Sequence, residues 1–231
     1  MIQANPSTRV IAFDAYGTLF DVFAITAQAE SYWPGQGAVL AKTWRDKQIE
    51  YTRLRSMAGP ARYQSFWQIT IDSLRFATQS LGLAMSLAQE QGLLDQYAVL
   101  KAFPENLGTL QTLKAHGLSL CILSNGSPEM LASAVSSANM DGLFDAVLSA
   151  ESVKRFKVDA SVYQLVCDRF QCPPSDVLMV SSNCWDVVGA HWFGFKTFWV
   201  NRTSQALEQL GALPDYQGNN INDLLQHLQP Q

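Results

Sequence analysis

Five short apolar runs punctuate this chain, and their spacing predicts most of its architecture. Val10-Ile11-Ala12-Phe13, Leu118 to Leu123, Phe144 to Leu148, Val177 to Val180 and Thr197 to Val200 read as buried strands. Segments of crossover-helix length separate the last four, so parallel βαβ units are expected. The helix that begins near Pro104 is expected to stop at Gly117, a good residue just past a helix end. From Asp21 to Lys101 the texture is helical throughout. Trp44, Gln48, Tyr51 and Arg55 recur at helical spacing there, as do Phe66, Ile69 and Leu74. The pattern predicts an α/β protein whose core is a doubly wound, Rossmann-like parallel sheet. Residues 1–20 and 102–231 form that core, and a helical cap subdomain, 21–101, is inserted just after the first strand.

Composition narrows the function classes. The 231 residues are 48% hydrophobic and 16% charged, a globular balance with length enough for a sizeable core. A net charge of −4 and a pI near 5.3 argue against nucleic acid or an anionic membrane as partner. No apolar run approaches the ~20 residues that span a bilayer. The start, Met1-Ile2-Gln3-Ala4-Asn5-Pro6, lacks the basic and apolar regions of a signal peptide, so a cytoplasmic location is expected. Cys121, Cys167, Cys172 and Cys184 form no CxxC pair, and His116, His191 and His227 do not cluster with them. No zinc site is therefore expected. The thiols read as small buried hydrophobes, with Cys184 placed in a polar loop beside residues of functional character.

Open α/β sheets bind ligands beyond the carboxyl ends of their strands. The first strand ends at Asp14, followed at once by a turn with Gly17 and Thr18. The position two beyond Asp14 holds Tyr16, not a second acid, and one lone carboxylate suits nucleophilic work better than a proton relay or a magnesium site. The strand ending at Leu123 leads into Ser124-Asn125-Gly126-Ser127-Pro128-Glu129, with Ser127 a good N-cap and Pro128 suited to the first helical position. That loop is either an anion cradle at a helix N-terminus or an ordinary capped turn. Ser181-Ser182-Asn183-Cys184-Trp185-Asp186 follows the next strand end, and Lys154-Arg155-Phe156-Lys157 offers a lysine that either turns inward or sits in solvent.

These stretches carry a resemblance. FDAYGTLFD, LSNGSPEML, the lysine of RFK and VSSNCWDVVGAHWFGF stand in the order and spacing of the haloacid dehalogenase superfamily, and TWRDKQIEY resembles its arginine-bearing cap helix. Within the superfamily the chain is more similar to the L-2-haloacid dehalogenases than to the phosphatases, over nearly its whole length. Phosphatases need an acid where Tyr16 stands, to protonate a leaving oxygen, and a metal-binding aspartate where Ser182 stands. With only Asp186 acidic in the last motif, magnesium lacks its carboxylates. No cofactor and no metal are expected.

The resemblance implies a two-step hydrolysis of short 2-haloalkanoates through an ester on Asp14. It implies that Thr18 fixes the Asp14 carboxylate, that Lys157 supplies its counter-charge, and that Asp186 orients Lys157 and places water with Asn183. Arg45 resembles the residue that draws the departing halide, with Asn183, Phe66 and Trp185. Ser124, with backbone N–H groups near Asn125 and Tyr16, matches the carboxylate-binding set, Ile49 the substrate-contacting set, and Ser181 and Tyr163 further polar positions. A homodimer and a small halogenated acid as partner follow by the same resemblance. Read alone, Arg45 also fits an exposed pair with Asp46 or Glu50, Tyr163 a half-buried helix start, and Phe66 and Trp185 plain core. Where the family's lysine is commonly followed by proline, this chain has Val158. A magnesium-dependent phosphatase and a non-catalytic carboxylate binder are the alternative functions.

Overall fold

Four consecutive apolar residues need a partner on both faces and both edges, and β1 (Val10–Phe13) has them: it is buried at every position and lies between two other strands. The chain is described by a computed structural model over residues 8–227. The N-terminal residues 1–7, read above for leader features, lie outside the described residues. After β1 come the helices α1 (Thr26–Tyr32), α2 (Gly37–Met57), α3 (Phe66–Ser80) and α4 (Leu87–Ala98). Then follow α5 (Asn106–Ala115), β2 (Ser119–Ser124), α6 (Pro128–Ser137), β3 (Ala146–Ser149) and α7 (Ala160–Phe170). β4 (Val177–Ser181), α8 (Cys184–Phe193), β5 (Lys196–Val200) and β6 (Tyr216–Gly218) complete the order.

The sheet is parallel throughout, ordered β3-β2-β1-β4-β5-β6. The chain winds outward from β1 through β2 to β3, then returns to β4 and winds the other way. This is the doubly wound arrangement, and its switch point lies between β1 and β4, where a crevice opens at the carboxyl ends. Register puts Phe13 opposite both Ile122 and Val180, so the residues just beyond these strands meet at one level. Asp14 extends the ladder by one bond, its N–H donating to the Val180 carbonyl at 3.0 Å.

The helices between β1 and β2 pack on one another and over that crevice. α2 buries a stripe of Leu40, Ala41, Trp44, Gln48 and Thr52, and α3 packs along it. Ser65 caps α3 by accepting from the Gln68 N–H, and Ser86 with Gln89 closes a capping box on α4. No helix among the described residues is long and apolar enough to cross a membrane.

Several local expectations need correction. β6 has no apolar run to announce it: Tyr216-Gln217-Gly218 is an edge strand held by backbone pairing with β5. Its entry is tied by Asp215, whose carboxylate accepts from the Thr197 N–H and hydroxyl at 3.0 Å each. β3 starts two residues later than predicted, because Asp145 turns its carboxylate to the Leu120 N–H at 2.8 Å and to Lys114. Ser127 stands at the N-cap of α6 with Pro128 first in the helix, but its side chain makes no capping bond. Cys184 is the buried first residue of α8, not part of a loop.

Candidate active site

Asp14 is 5% exposed, and each of its carboxylate oxygens is spoken for. Oδ2 accepts from Thr18 Oγ1 at 3.0 Å and from Asn183 Nδ2 at 2.8 Å; Oδ1 accepts from Lys157 Nζ at 3.1 Å. The turn after β1 makes the first of these bonds. Gly17 sits at φ +97°, which a side-chain-bearing residue rarely adopts, and an added Cβ would lie 3.2 Å from Ser182 Oγ. With its hydrogen given to Asp14, the Thr18 hydroxyl accepts from the Ser182 N–H at 2.8 Å. The β1 and β4 loops are thereby locked together.

Lys157 is 1% exposed and reaches Asp186 Oδ2 at 2.8 Å as well as Asp14. Asp186 lies in the first turn of α8, where the helix dipole favours an anion, and its other oxygen accepts from the Tyr163 hydroxyl at 2.9 Å. Two carboxylates thus share one ammonium inside the protein. Burial opposes the charge on Lys157, but Asp14 and Asp186 outweigh it and hold its pKa above the ordinary lysine value. Burial raises the Asp186 pKa above the ordinary carboxylate range against the pull of Lys157, as expected where the shared cluster carries a net negative charge. Burial also lifts the Tyr163 phenol far above its usual value, so it remains a donor. The Lys157–Val158 peptide is cis, and the Lys157 N–H donates to Asn125 Oδ1 at 2.9 Å, joining the β2 loop to the lysine.

Arg45 descends from α2 onto these loops. Nη1 donates to Gln48 Oε1 at 2.7 Å, while Nη2 reaches the Tyr16 carbonyl at 3.1 Å and Asn183 Oδ1 at 3.4 Å. The acids beside it on the helix pair elsewhere, Asp46 with Lys42 and Glu50 with Lys47. Among the described residues, Arg45 has no carboxylate partner. A helix salt bridge is therefore not what holds this arginine.

A small cavity lies where these groups converge, lined by Asp14, Tyr16, Arg45, Ile49, Thr52, Phe66, Ser124, Asn125, Asn183 and Trp185. Its free space is about what a single water occupies. The Tyr16 ring forms one wall, stacked on Tyr97 at 5.8 Å and tilted against Phe66 at 5.5 Å. Trp185 packs under the Arg53 guanidinium at 5.2 Å. Arg45, Ile49, Asn183 and Trp185 also line a larger neighbouring cavity of about 420 Å³, bounded by Arg202, Gln205 and Glu208.

Five residues singled out in the sequence stand back from the cavity: Lys157 and Asp186, buried as an ion pair beside Asp14, and Ser181, Tyr163 and Thr18. Ser181 is buried and its hydroxyl accepts from the Asn183 N–H at 3.1 Å, so it shapes the turn that presents Asn183. Tyr163 lies in the first turn of α7 as expected, but it is fully buried, not half-buried, and touches the site through Asp186. Thr18 is covered by the same loops it joins. Ser124 lines the cavity with its hydroxyl accepting from the Gly126 N–H at 3.1 Å. Sequence reasoning missed Thr52, which the helical spacing from Ile49 and Gln48 was enough to place on the cavity face. Among the described residues, no three His, Cys, Asp or Glu side chains gather as a metal-holding group.

Known proteins share both the sequence and this fold. A sequence model of the haloacid dehalogenase-like hydrolases matches residues 8–194. The (S)-2-haloacid dehalogenase of Pseudomonas sp. (strain YL) is 42% identical over 216 residues, 94% of this chain and 92% of that protein. Haloacetate dehalogenase H-2 of Moraxella sp. (strain B) is 37% identical over 208 residues, 90% of this chain and 92% of its own. A crystal structure of an L-2-haloacid dehalogenase superposes with a TM-score of 0.95 at 48% identity, over 97% of this chain and all of the other. The Xanthobacter autotrophicus L-2-haloacid dehalogenase with chloropropionic acid covalently bound superposes at 0.88 with 33% identity, over 95% and 97% of the two chains. A buried strand-end aspartate held by a lysine and a threonine, on a doubly wound sheet with a helical insertion, thus comes with family-level sequence similarity, and the chain belongs to the haloacid dehalogenase-like hydrolases, among the (S)-2-haloacid dehalogenases.

Proposed function

We propose that this protein hydrolyses the carbon–halogen bond of short L-2-haloalkanoates or haloacetates, giving the 2-hydroxy acid, halide and a proton. The observation that carries the reading is the Asp14 carboxylate, pinned by Lys157, Thr18 and Asn183 on a small cavity that Arg45 also lines. Asp14 attacks C2 from the side opposite the halogen; the oxygen–carbon bond forms as the carbon–halogen bond breaks, and the halide leaves with the bonding pair. A halide leaves as a stable anion, so no acid is needed where Tyr16 stands, only positive charge where Arg45 and Asn183 lie. Water then attacks the ester carbonyl, restores the Asp14 carboxylate and releases the hydroxy acid.

In this reading Lys157 is the counter-charge of the Asp14 carboxylate, Asp186 keeps Lys157 aimed, and Asn183 with Asp186 places the water. Ser124 and the backbone around Asn125 and Tyr16 take the substrate carboxylate, while Phe66, Ile49 and Trp185 enclose its apolar part. Ser181 and Tyr163 position Asn183 and Asp186. Residues 21–101 act as a cap on a core of 1–20 and 102–231, and the enzyme is a metal-independent cytoplasmic homodimer.

Halide release from L-2-chloropropionate in the presence of EDTA tests the reaction, and Asp14→Asn should lower it at least a thousandfold while the fold survives. Turnover of p-nitrophenyl phosphate only with Mg²⁺, and no halide, would overturn the reading. So would undiminished halide release by freshly purified Asp14→Asn.

A further inference from the structure

Gln48 is an unusual residue to find 1% exposed inside a helical layer, and every polar atom of its side chain is engaged. Its Oε1 accepts from Arg45 Nη1 at 2.7 Å and from the Tyr97 hydroxyl at 3.1 Å, while Nε2 donates to Thr70 Oγ1 at 2.7 Å. The amide's orientation is forced. The Thr70 hydroxyl spends its hydrogen on the Phe66 carbonyl at 2.8 Å, so it can only accept from Gln48. Oε1 must then face the two remaining donors, the guanidinium and the phenol. Burial keeps the Tyr97 pKa above its usual value, so that phenol stays a donor.

Arg45 is thus held unequally at its two ends. The bond to Gln48 is short, whereas the contacts on the cavity side, to the Tyr16 carbonyl and to Asn183, are 3.1 Å and 3.4 Å. The longer contacts are the ones an anion in the cavity would displace at least cost; the short one would persist. Tyr97 closes the loop, because its ring stacks on Tyr16, whose carbonyl is the nearer of the two cavity-side acceptors. The anchor is also neutral. A carboxylate at the same place would sit against the guanidinium and cancel its attraction for a halide, and an alkyl group would leave two buried donors without an acceptor.

We propose that Gln48 is the positioning residue for Arg45, fixing the guanidinium toward the departing halide while leaving its positive charge uncompensated. The proposal rests on the reading of Arg45 given above. It is tested with purified Gln48→Met, Gln48→Glu, Arg45→Ala and Gln48→Met/Arg45→Ala enzymes, reading kcat/KM for chloro- and bromoacetate, inhibition by added bromide, and thermal unfolding. Gln48→Glu should weaken bromide inhibition and lower kcat/KM about tenfold or more, with a larger loss for the chloride than for the bromide leaving group. Gln48→Met should lower kcat/KM about tenfold, yet cost nothing further once Arg45 is alanine. If either variant kept parental kcat/KM and bromide inhibition, or if the Gln48→Met loss multiplied with that of Arg45→Ala, Gln48 would be packing alone. Should Gln48→Met not fold, the Gln48→Glu measurements decide. If Arg45→Ala itself left bromide inhibition and kcat/KM unchanged, the halide role of Arg45 would fall, and the proposal for Gln48 with it.

Discussion

Lys157 faces two carboxylates, and the balance among the three groups governs how this site responds to pH and mutation. The Lys157 pKa is raised above 10.5, so the stability it lends is fully present below that value and is lost only as pH climbs through the raised one. Asp186 is raised instead of lowered, so in the interval above 3.8 the folded protein holds a proton that the unfolded chain has released, and stability falls as pH rises through that interval. The acid edge of kcat/KM is therefore expected above the ordinary carboxylate value, and Lys157 should impose no alkaline edge below 10.5. Lys157→Met would leave two buried carboxylates facing each other, costing about 3–5 kcal/mol at neutral pH and on the order of a thousandfold in kcat/KM. Because one proton relieves that repulsion, the stability deficit should shrink on acidification. Thermal unfolding of parent and variant at neutral and mildly acidic pH checks this; a deficit independent of pH would contradict it.

Among the elements, α8 bears most directly on the site, since it carries Asp186 in its first turn and packs on α7 beneath it. Gly189 lies in its middle, where alanine would ordinarily stabilise a helix by about 1 kcal/mol. Here an added Cβ would run into Val158 and come within 2.6 Å of the Tyr163 hydroxyl. Gly189→Ala should therefore destabilise by about 1–3 kcal/mol and lower kcat/KM severalfold as the Tyr163 to Asp186 bond is displaced. Differential scanning calorimetry with steady-state kinetics tests it, and a higher Tm at unchanged activity would show that α7 and α8 separate freely. Strand elements follow simpler rules. β1, β2, β4 and β5 coincide with apolar runs because a central parallel strand is buried on both faces. β6, an edge strand of three residues, needs no such run and so leaves little trace in the sequence.

Across the whole molecule, the helices between β1 and β2 meet the rest of the chain at several places, among them over the cavity through Arg45, at Ala98, whose carbonyl accepts from the Ser133 hydroxyl, and at the far end of α2 through Ser56. The Phe156 N–H donates to Ser56 Oγ at 3.1 Å, Ser56 Oγ reaches the Phe156 carbonyl at 3.3 Å, and Arg155 donates to the Ser56 carbonyl. This last tie grips the chain one residue before Lys157. Ser56→Ala should cost about 1 kcal/mol, a Tm decrease of roughly 2–4 °C, and lower kcat/KM severalfold, because the lysine's segment loses its hold on α2. Unaltered Tm and kinetics would show that the other contacts suffice.

Local chemistry explains which parts of this protein are legible without coordinates. Hydrophobic period, turn residues and the polar clusters at strand ends are properties of neighbours in sequence, and they determine the parallel sheet, the helical insertion and the gathering of Asp14, Ser124, Asn183 and Asp186 at one edge. Tertiary structure alone decides who touches whom across the chain. Lys157 meets Asp14 over a separation of 143 residues, Arg45 reaches Asn183 over 138, and Gln48 finds Tyr97 over 49. A polar residue on the inner face of a helix reads the same whether it packs idly or bonds an arginine that lines a cavity. Only the folded arrangement, by leaving it one set of donors and acceptors to satisfy in the dry interior, tells the two apart.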